Sequence, residues 1–372
     1  MSIREGTPLI PAAGGPMRSI MPSNLPALSR TAFRLLQELT ETVAVSGAEG
    51  PARRVVRRAL RRYAARITTD TLGNLLVHRP ASSDIRRPLR VLLAAHLDEV
   101  GFLLTHRAGR GLFRFRPVGG LRPETALGQA VWVGSHRRFG VVGGAPTHLL
   151  PDAPRLPAWE DLRIDVGPHS PEVEPGQYAT FATPFRRVGD TIFAKALDDR
   201  VGVVTLIELV RRAPPHLDLW AAFTVQEEVG LRGARVIAHA VQPHVALALD
   251  CTPARDIPDA QGRLSTRHNT RLGHGPALYL ADRMTVSDPR LVRHFQRTAE
   301  QIHVPYQFRQ AGGGATDAGA MHVQRAGIPS LSVSVPARGL HTPVATLRRT
   351  DWQAAFQLVW AALRALTPAL LE

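Results

Sequence analysis

The sequence has very little cysteine, almost no lysine and no long apolar run. Of its 372 residues only Cys251 is a cysteine, which excludes an intrachain disulfide and indicates a reducing compartment, most simply the cytoplasm. No segment reaches the roughly 18 apolar residues that a transmembrane helix needs. Residues 1–25 also lack the apolar core of a secretory signal, and we interpret them as a disordered leader. We therefore expect neither a disulfide framework nor a membrane partner.

The scarcity of lysine changes how the net charge is interpreted. The chain carries 46 Lys+Arg against 31 Asp+Glu, a formal net charge of +15, which alone would suggest a nucleic-acid partner. Only Lys195 is a lysine, however, and the other 45 are arginines. This skew indicates compositional bias rather than selection for phosphate contacts, so we expect no nucleic acid. The arginine pairs of a helix predicted over residues 50 to 63 are likewise interpreted as a solvated face.

The apolar pattern predicts an α/β fold. Ser29 precedes an amphipathic helix, and Val201 to Val210 has the composition of another helix. Short apolar runs, typical of buried parallel strands, recur along the chain at Val91 to Ala95, Leu217 to Val225, Val245 to Leu249 and Ile328 to Val335. Alternation of these strands with helices predicts a mixed sheet flanked by helices on both faces.

Residues 108 to 186 have a different character. They contain short Val/Phe-rich stretches interrupted by glycine and proline, without a helical period. Because α/β signals lie on both sides, we interpret this segment as a small barrel-like all-β domain. It would be inserted into a larger α/β domain formed by residues 26–107 and 187–372.

Acidic residues and histidines follow the predicted strands. In an open α/β sheet the ligand crevice lies beyond the carboxyl ends of the strands, so side chains at these ends should converge. Histidines and carboxylates that converge in a crevice commonly bind metal. The residues concerned are His96 and Asp98 after the first strand, Glu227 and Glu228 after the second, Asp250 after the third, His341 shortly after the fourth, and Asp198 in an acidic pair before a helix.

These residue types suit two zinc-like ions that share a carboxylate. Two divalent cations bring four positive charges, which three carboxylates and one bridging hydroxide balance. The proposed ligands are His96, Asp198 and Asp250 for one ion and Asp198, Glu228 and His341 for the other.

Two residues beside these ligands are predicted to assist them, one by orienting a ligand and one as a general base. Asp98 lies two positions after His96, on the same side of an extended chain, where it can accept the second ring N–H of His96. Neighbouring residues of a regular strand point to opposite faces, so Glu228 as a ligand leaves Glu227 free to act as the general base.

Motifs along nearly the whole chain after about residue 30 resemble the tetrahedral aminopeptidases. This family of dinuclear metal exopeptidases is also called glutamyl aminopeptidase and cellulase-M-like. The matching segments are Ser46-Gly-Ala-Glu49, Asp70-x-x-Gly-Asn74, AHLDEVGF (95 to 102), KALDDRVG (195 to 202), QEEVGLRGA (226 to 234), ALDCT (248 to 252), GHGPAL (273 to 278), GGGATDAGA (312 to 320) and LHTP (340 to 343).

The resemblance implies a peptidase that removes N-terminal residues from short peptides. It implies His96, Asp198, Glu228, Asp250 and His341 as ligands with Asp198 bridging, Asp98 as the orienting residue and Glu227 as the base. It also implies dimerisation through the inserted β domain and assembly into a dodecamer. Zinc, cobalt and manganese all suit this oxygen and nitrogen ligand set. The chain departs from the family pattern at Ala315 and at Arg338-Gly-Leu.

The sequence leaves two other functions open. A related dinuclear amidohydrolase, such as a deacylase or carboxypeptidase, would use a similar site, and a nucleic-acid-binding protein without catalysis would explain the charge. The glycine cluster at 312 to 314 lacks the Lys-Ser/Thr of a nucleotide loop, and we interpret it as a supporting loop. Cys251 is expected to be a buried small side chain rather than a nucleophile.

Overall fold

The computed structural model describes residues 25–145, 156–264, 270–309 and 312–372. The predicted leader therefore lies outside the described residues, except for Leu25. None of the described helices is both long enough and apolar enough to cross a membrane.

The described residues form eight α-helices and seventeen strands. The helices are α1 (Arg30–Thr40), α2 (Gly50–Leu60), α3 (Pro123–Ala126), α4 (Leu197–Arg211), α5 (Arg232–Val241), α6 (Pro289–Gln301), α7 (Asp317–Met321) and α8 (Arg349–Ala365). The strands are β1 (Arg66–Thr69), β2 (Leu75–Arg79), β3 (Leu89–His96), β4 (Gly101–Gly109), β5 (Leu112–Val118), β6 (Ala130–Val133), β7 (Arg138–Gly143), β8 (Arg163–Asp165), β9 (Tyr178–Phe181), β10 (Arg186–Val188), β11 (Thr191–Ala194), β12 (Leu217–Thr224), β13 (Val245–Pro253), β14 (Ala277–Tyr279), β15 (Gln307–Arg309), β16 (Ser330–Arg338) and β17 (Ala345–Arg348).

Eleven strands form one mixed sheet, which confirms the predicted fold class. The main order is β1-β2-β12-β3-β13-β16-β17-β11-β10, and β14 pairs with both β16 and β15. The four central strands β12, β3, β13 and β16 are parallel. The outer strands add in antiparallel fashion except β15, which pairs in parallel with β14. These four parallel strands are the four apolar runs of the sequence. Their carboxyl ends therefore meet at one edge of the sheet.

Helices cover both faces of the sheet, and β3 illustrates how its sequence allows this. Alternate residues of a strand point to opposite faces. Val91, Leu93 and Ala95 accordingly lie in the large core beneath α1, α2, α4 and α8, whereas Leu92 and Ala94 lie in a second core with α5 and α7. A continuous apolar run is the pattern that such a doubly covered strand requires.

Local signals in the sequence set the helix starts better than the helix ends. The Ser29 hydroxyl accepts a hydrogen bond from the backbone N–H of Ala32 at 3.0 Å and caps α1 as predicted. The predicted end of α2 at residue 63 is wrong, because the helix stops at Leu60 and a turn follows. Val55 and Val56 of α2 are buried, while its arginine stripe is largely exposed.

A small closed barrel is inserted between β3 and β10. It consists of six strands in the order β4-β5-β8-β7-β6-β9, closed by pairing of β4 with β9. Phe102 lies in its core, with ring centroids 5.0 Å from Phe115 and 5.4 Å from Phe181 in edge-to-face geometry.

A buried ion cluster around Glu99 joins the barrel to the sheet. Glu99 is 1% exposed, and its Oε2 accepts hydrogen bonds from Lys195 Nζ and from Thr180 Oγ1 of β9, both at 2.7 Å. Its Oε1 lies 3.4 Å from Arg200 Nη2 of α4. The single lysine of the chain is therefore 1% exposed and paired inside the protein. Burial lowers the pKa of Lys195, and the charge of Glu99 opposes this effect.

Replacing Lys195 with methionine should destabilise the fold. The change removes one partner of a buried charge pair and leaves Glu99 undercompensated, which costs about 3 kcal/mol. The free energy of unfolding from urea denaturation measures this loss. As a control, Arg62→Met changes an exposed arginine in the turn after α2 and should shift stability by less than about 0.5 kcal/mol. Equal stability of the two variants would contradict the role assigned to Lys195.

Candidate metal centre

The side chains predicted to act together do meet at the carboxyl ends of the parallel strands. They come from five separate parts of the chain, so the topology rather than sequence proximity brings them together. His96 is the last residue of β3, Asp198 lies in the first turn of α4, Asp250 lies on β13, Glu227 and Glu228 follow β12, and His341 follows β16.

Asp198 occupies the middle of this cluster. Its Oδ1 lies 3.2 Å from His96 Nε2, and its Oδ2 lies 3.6 Å from His341 Nε2. His341 Nε2 is also 3.3 Å from Glu228 Oε2, and His96 Nε2 is 3.9 Å from Asp250 Oδ1. Each oxygen of one carboxylate thus faces a different histidine, which is the arrangement that two ions sharing Asp198 would need.

Glu227 and Glu228 do not lie on a regular strand, contrary to the prediction that strand geometry separates their roles. β12 ends at Thr224, and both glutamates lie in the loop that follows. Gln226 has a left-handed φ of 56°, so the chain leaves the extended conformation there and both side chains reach the cluster. Glu227 Oε2 lies 3.9 Å from His96 Nε2. Asp250 also differs from expectation, because β13 continues to Pro253 and Asp250 lies within the strand.

Asp98 fixes the loop that carries both glutamates. Its carboxylate accepts the backbone N–H groups of Glu227 and Glu228, both at 3.1 Å, and the hydroxyl of Ser46 at 2.7 Å. Its carboxylate is 3.5 Å from His96 Nδ1, while its backbone carbonyl is closer at 3.2 Å. Burial would raise the pKa of Asp98, but these contacts outweigh it and hold the pKa below the ordinary value.

Two acidic residues without an assigned role in the sequence also belong to the site. Asp199 Oδ2 accepts the backbone N–H of His96 at 3.2 Å, and with His96 and Asp250 it forms a group of potential metal ligands within 4.8 Å of one another. Its position in the Asp-Asp pair was the available signal. Asp317 accepts the hydroxyl of Thr224 at the end of β12, and burial raises the pKa of Asp317 to about 6.

The cluster carries more negative charge than its protein neighbours compensate. No lysine or arginine of the described ranges forms an ion pair with Asp198, Asp199, Glu227 or Asp250. Burial, and then the charges of neighbouring carboxylates, raise the pKa of Asp250 well above its ordinary value. A divalent cation would relieve this repulsion, and carboxylate oxygens with imidazole nitrogens are donors that such a cation accepts. The residues present therefore fit a metal site.

The negative charge of the cluster also raises the pKa of His341. Burial would lower the pKa of His341, but the negative charges of Glu228 and Asp198 outweigh it and raise the pKa to about 11. The ring is held from the barrel side, where the carbonyl of Gly120 lies 3.3 Å from Nδ1. A Cβ at position 120 would approach Nδ1 to 2.8 Å, so glycine is needed for this close approach.

The cluster forms part of the wall of a cavity of about 720 Å³. Gly313 and Gly314 of the glycine cluster line this cavity, in keeping with a supporting loop. Cys251 lines it too but is only 5% exposed, and its thiol lies 3.4 Å from the carbonyl of Leu197. Burial, followed by the charges of Asp198 and Asp199, raises the pKa of Cys251 well above its ordinary value. The thiol therefore stays protonated and is a poor nucleophile.

Comparison with known proteins gives consistent matches. The family model described as M42 glutamyl aminopeptidase matches residues 73–358. The chain is 31% identical over 351 residues to the lysyl aminopeptidase of Pyrococcus furiosus. This alignment covers 90% of this chain and 98% of that protein.

Solved structures agree. An aminopeptidase from the archaeon Desulfurococcus kamchatkensis is similar with a TM-score of 0.86 and 33% identity, over 92% of this chain and 97% of that chain. The Pyrococcus horikoshii TET1 peptidase, described as assembling into a tetrahedron or a large octahedral shell, is similar with a TM-score of 0.78 and 32% identity, over 89% of this chain and 98% of that one. Since the family model spans most of the sequence and the relatives align over nearly their full length, the chain belongs to the M42 glutamyl aminopeptidase family.

Proposed function

We propose that this chain is a dinuclear metal aminopeptidase that releases N-terminal residues from short peptides. The observation that carries the proposal is the position of Asp198, whose two carboxylate oxygens face His96 at 3.2 Å and His341 at 3.6 Å. A carboxylate placed in this way suits a pair of ions sharing one ligand. Membership of the aminopeptidase family supports the reaction class.

Each ion would be held by three side chains of the cluster. The ions, when bound, supply Lewis-acid polarisation of the peptide carbonyl and lower the pKa of water. Zinc is the expected metal, with cobalt and manganese as the other candidates. The proposed sets are His96, Asp198 and Asp250 for one ion and Asp198, Glu228 and His341 for the other.

Glu227 is proposed as the general base. The residue is 9% exposed and lines the cavity beside His96, so its carboxylate can take a proton from the attacking water and deliver it to the leaving nitrogen. Asp98 orients this machinery, since it holds the backbone of Glu227 and Glu228 and contacts the ring of His96.

The barrel is proposed to mediate dimerisation within a larger homo-oligomer, a dodecamer. The sequence predicts the inserted domain over residues 108 to 186, whereas the barrel begins with β4 at Gly101 and its last strand, β9, ends at Phe181. Phe139 of β7 is 52% exposed and Val141 is 37% exposed, and exposed apolar side chains on one strand are a common feature of interfaces. With a single cysteine and a reduced thiol, we place the assembly in the cytoplasm.

Metal removal should abolish activity. Elemental analysis of the purified protein should find about two divalent ions per chain, and a chelator should stop hydrolysis of aminoacyl p-nitroanilides. Adding back zinc, cobalt or manganese should restore it. N-acylated amino acids and peptides with a blocked amine serve as controls and should stay intact. Cleavage of these blocked substrates instead would favour a related amidohydrolase.

Glu227→Gln should abolish turnover without releasing metal. The amide cannot accept the proton, so kcat should fall by about 10²- to 10⁴-fold, while elemental analysis gives the wild-type metal content. Glu160→Gln, at an exposed glutamate of the barrel, is the matched control and should keep wild-type kcat. Activity surviving in the Glu227 variant, or loss of its metal, would contradict the role of this residue.

Phe139→Asp should reduce the size of the assembly. Light scattering coupled to size exclusion should give the wild type a mass near twelve times the 40.5 kDa chain, and the variant a much smaller mass, because a charge would be buried at the interface. Val323→Asp, at an exposed apolar position outside the barrel, controls for the added charge. A monomeric wild type at micromolar concentration would rule out the proposed assembly.

A further inference from the structure

Two short motifs, Ser46-Gly-Ala-Glu49 and Asp70-x-x-Gly-Asn74, supply neither a proposed metal ligand nor the proposed base. Each nevertheless ends at a polar side chain that the fold buries, since Glu49 is 4% exposed and Asn74 is 0% exposed. A buried polar group is costly unless it is hydrogen-bonded. Both side chains find partners in the loop of residues 225–228, which carries the two glutamates of the candidate metal centre.

Three side chains accept the backbone N–H groups of four consecutive residues of this loop. The N–H of Val225 donates to Asn74 Oδ1 at 3.0 Å, and the N–H of Gln226 donates to Glu49 Oε1 at 3.2 Å. The next two N–H groups, at both glutamates, donate to the Asp98 carboxylate at 3.1 Å. The acceptors come from three separate segments of the chain, so the loop is held from several directions.

The Glu49 and Asn74 side chains are themselves fixed. Glu49 is the N-cap residue of α2, but its carboxylate does not cap that helix. Its Oε1 also accepts the N–H of Gly47 at 2.7 Å. Asn74 Nδ2 donates to Asp70 Oδ2 at 2.7 Å, which leaves Oδ1 as the acceptor for the loop.

The start of α5 binds the carbonyl groups of the same loop. The carbonyls of residues 225–227 accept hydrogen bonds from the N–H groups of residues 230–233 at 2.9 to 3.2 Å. Asn74 joins the two segments, because its Nδ2 also donates to the Gly233 carbonyl at 3.3 Å. A Cβ at position 233 would approach Asn74 Oδ1 to 2.2 Å, so this contact needs a glycine.

The conformation of Gln226 explains why the support matters. Its φ of 56° is left-handed, and a residue with a side chain keeps this conformation only where surrounding contacts fix it. The bond to Glu49 acts at this residue, and the bonds to Asn74 and Asp98 lie on either side of it. In an extended loop, consecutive side chains would point to opposite sides, and the two glutamates would not reach the cluster together.

We propose that Glu49 and Asn74 are positioning residues of the peptidase, which hold the loop backbone so that the Glu227 and Glu228 carboxylates reach the metal centre together. The inference rests on the proposed aminopeptidase function. Glu49 and Asn74 are not among the residues that line the cavity, so each acts through a backbone N–H of the loop.

The first test separates the hydrogen-bond acceptor at position 49 from its charge, on metal-loaded enzyme with an aminoacyl p-nitroanilide. Glu49→Gln keeps an oxygen that accepts both N–H groups, so kcat should stay within about threefold of the wild type. Glu49→Ala removes the acceptor. It should lower kcat by about 10- to 100-fold with little change in KM, because a misplacement of about 1 Å at a catalytic group has an effect of this size. Asn74→Ala should behave alike.

The matched control is another buried glutamate. Glu208 is 1% exposed and pairs with Arg211 and Arg212 on α4, away from the loop. Glu208→Ala should destabilise the fold to a similar degree, yet it should keep the wild-type kcat per folded chain. The comparison therefore separates loss of positioning from loss of stability.

The second test measures metal binding rather than turnover. Zn²⁺ is titrated calorimetrically into the metal-free protein, and the wild type and Glu208→Ala should bind two ions. Only one of the two proposed ligand sets contains Glu228. Glu49→Ala and Asn74→Ala should therefore keep one site at wild-type affinity and weaken the other by about 10- to 100-fold, as changes beside ligands do.

The third measurement reports on the loop backbone itself. Hydrogen exchange followed by mass spectrometry should show protected amides at residues 225–228 of the wild type. Glu49→Ala and Asn74→Ala should each speed exchange there, because one N–H loses its acceptor. Exchange in the central strands β3 and β13 should stay at the wild-type rate.

Three results would overturn the inference. They are a Glu49→Ala variant with wild-type kcat and two unaltered Zn²⁺ sites, an equal weakening of both sites, and a Glu49→Gln variant as impaired as Glu49→Ala. A wild type that cleaves no aminoacyl substrate would instead contradict the aminopeptidase function. In that case the Zn²⁺ titration and the exchange rates still decide whether Glu49 and Asn74 position the loop.

Discussion

Burial of negative charge is the constraint on which the active end of this molecule depends. Asp98 and Glu99 are adjacent, both are almost fully buried, and both lie on the segment between β3 and the barrel. An ionised carboxylate in such a place costs several kcal/mol unless it is paired. Asp98 is satisfied by backbone N–H groups and a hydroxyl, whereas Glu99 is satisfied by Lys195 and Arg200. These contacts hold the segments that supply the partners in place.

The carboxylates of the candidate metal centre are the opposite case, because no lysine or arginine of the described ranges pairs with them. They are buried or half-buried, yet the described residues offer them only two histidines as cationic counterparts. Comparison with Glu99 shows that the fold can supply lysine and arginine where a carboxylate is structural. The surplus of negative charge at Asp198 and its neighbours is therefore a local property of this site, and it favours the binding of cations there.

Arginine has several different roles in this chain, and composition conceals them. Most of the stripe on α2 faces solvent, and Arg58 makes an exposed ion pair with Glu38 that contributes little to stability. Arg200 is fully buried and structural. Arg309 is buried in the cavity wall, where its Nη1 has no hydrogen-bond partner among the described residues. The net charge of +15 describes none of these positions, which differ in burial and partners rather than in residue type.

The sequence by itself determined the fold class, and it predicted which acidic residues and histidines would meet at the carboxyl ends of the strands. Apolar runs encode doubly covered parallel strands, and the carboxyl ends of such strands meet, so residues as distant as His96 and His341 could be placed together. The sequence did not predict where the strands end, since β13 continues beyond Asp250 by pairing with β16.

Only the tertiary structure decided the contacts that depend on burial and loop conformation. The left-handed residue Gln226 brings Glu227 and Glu228 to the same side, Lys195 finds Glu99 across the fold, and Arg309 lies in the wall of the cavity. No local pattern records these relations, because each depends on segments that are far apart in the chain and become neighbours only when the sheet and the barrel have packed.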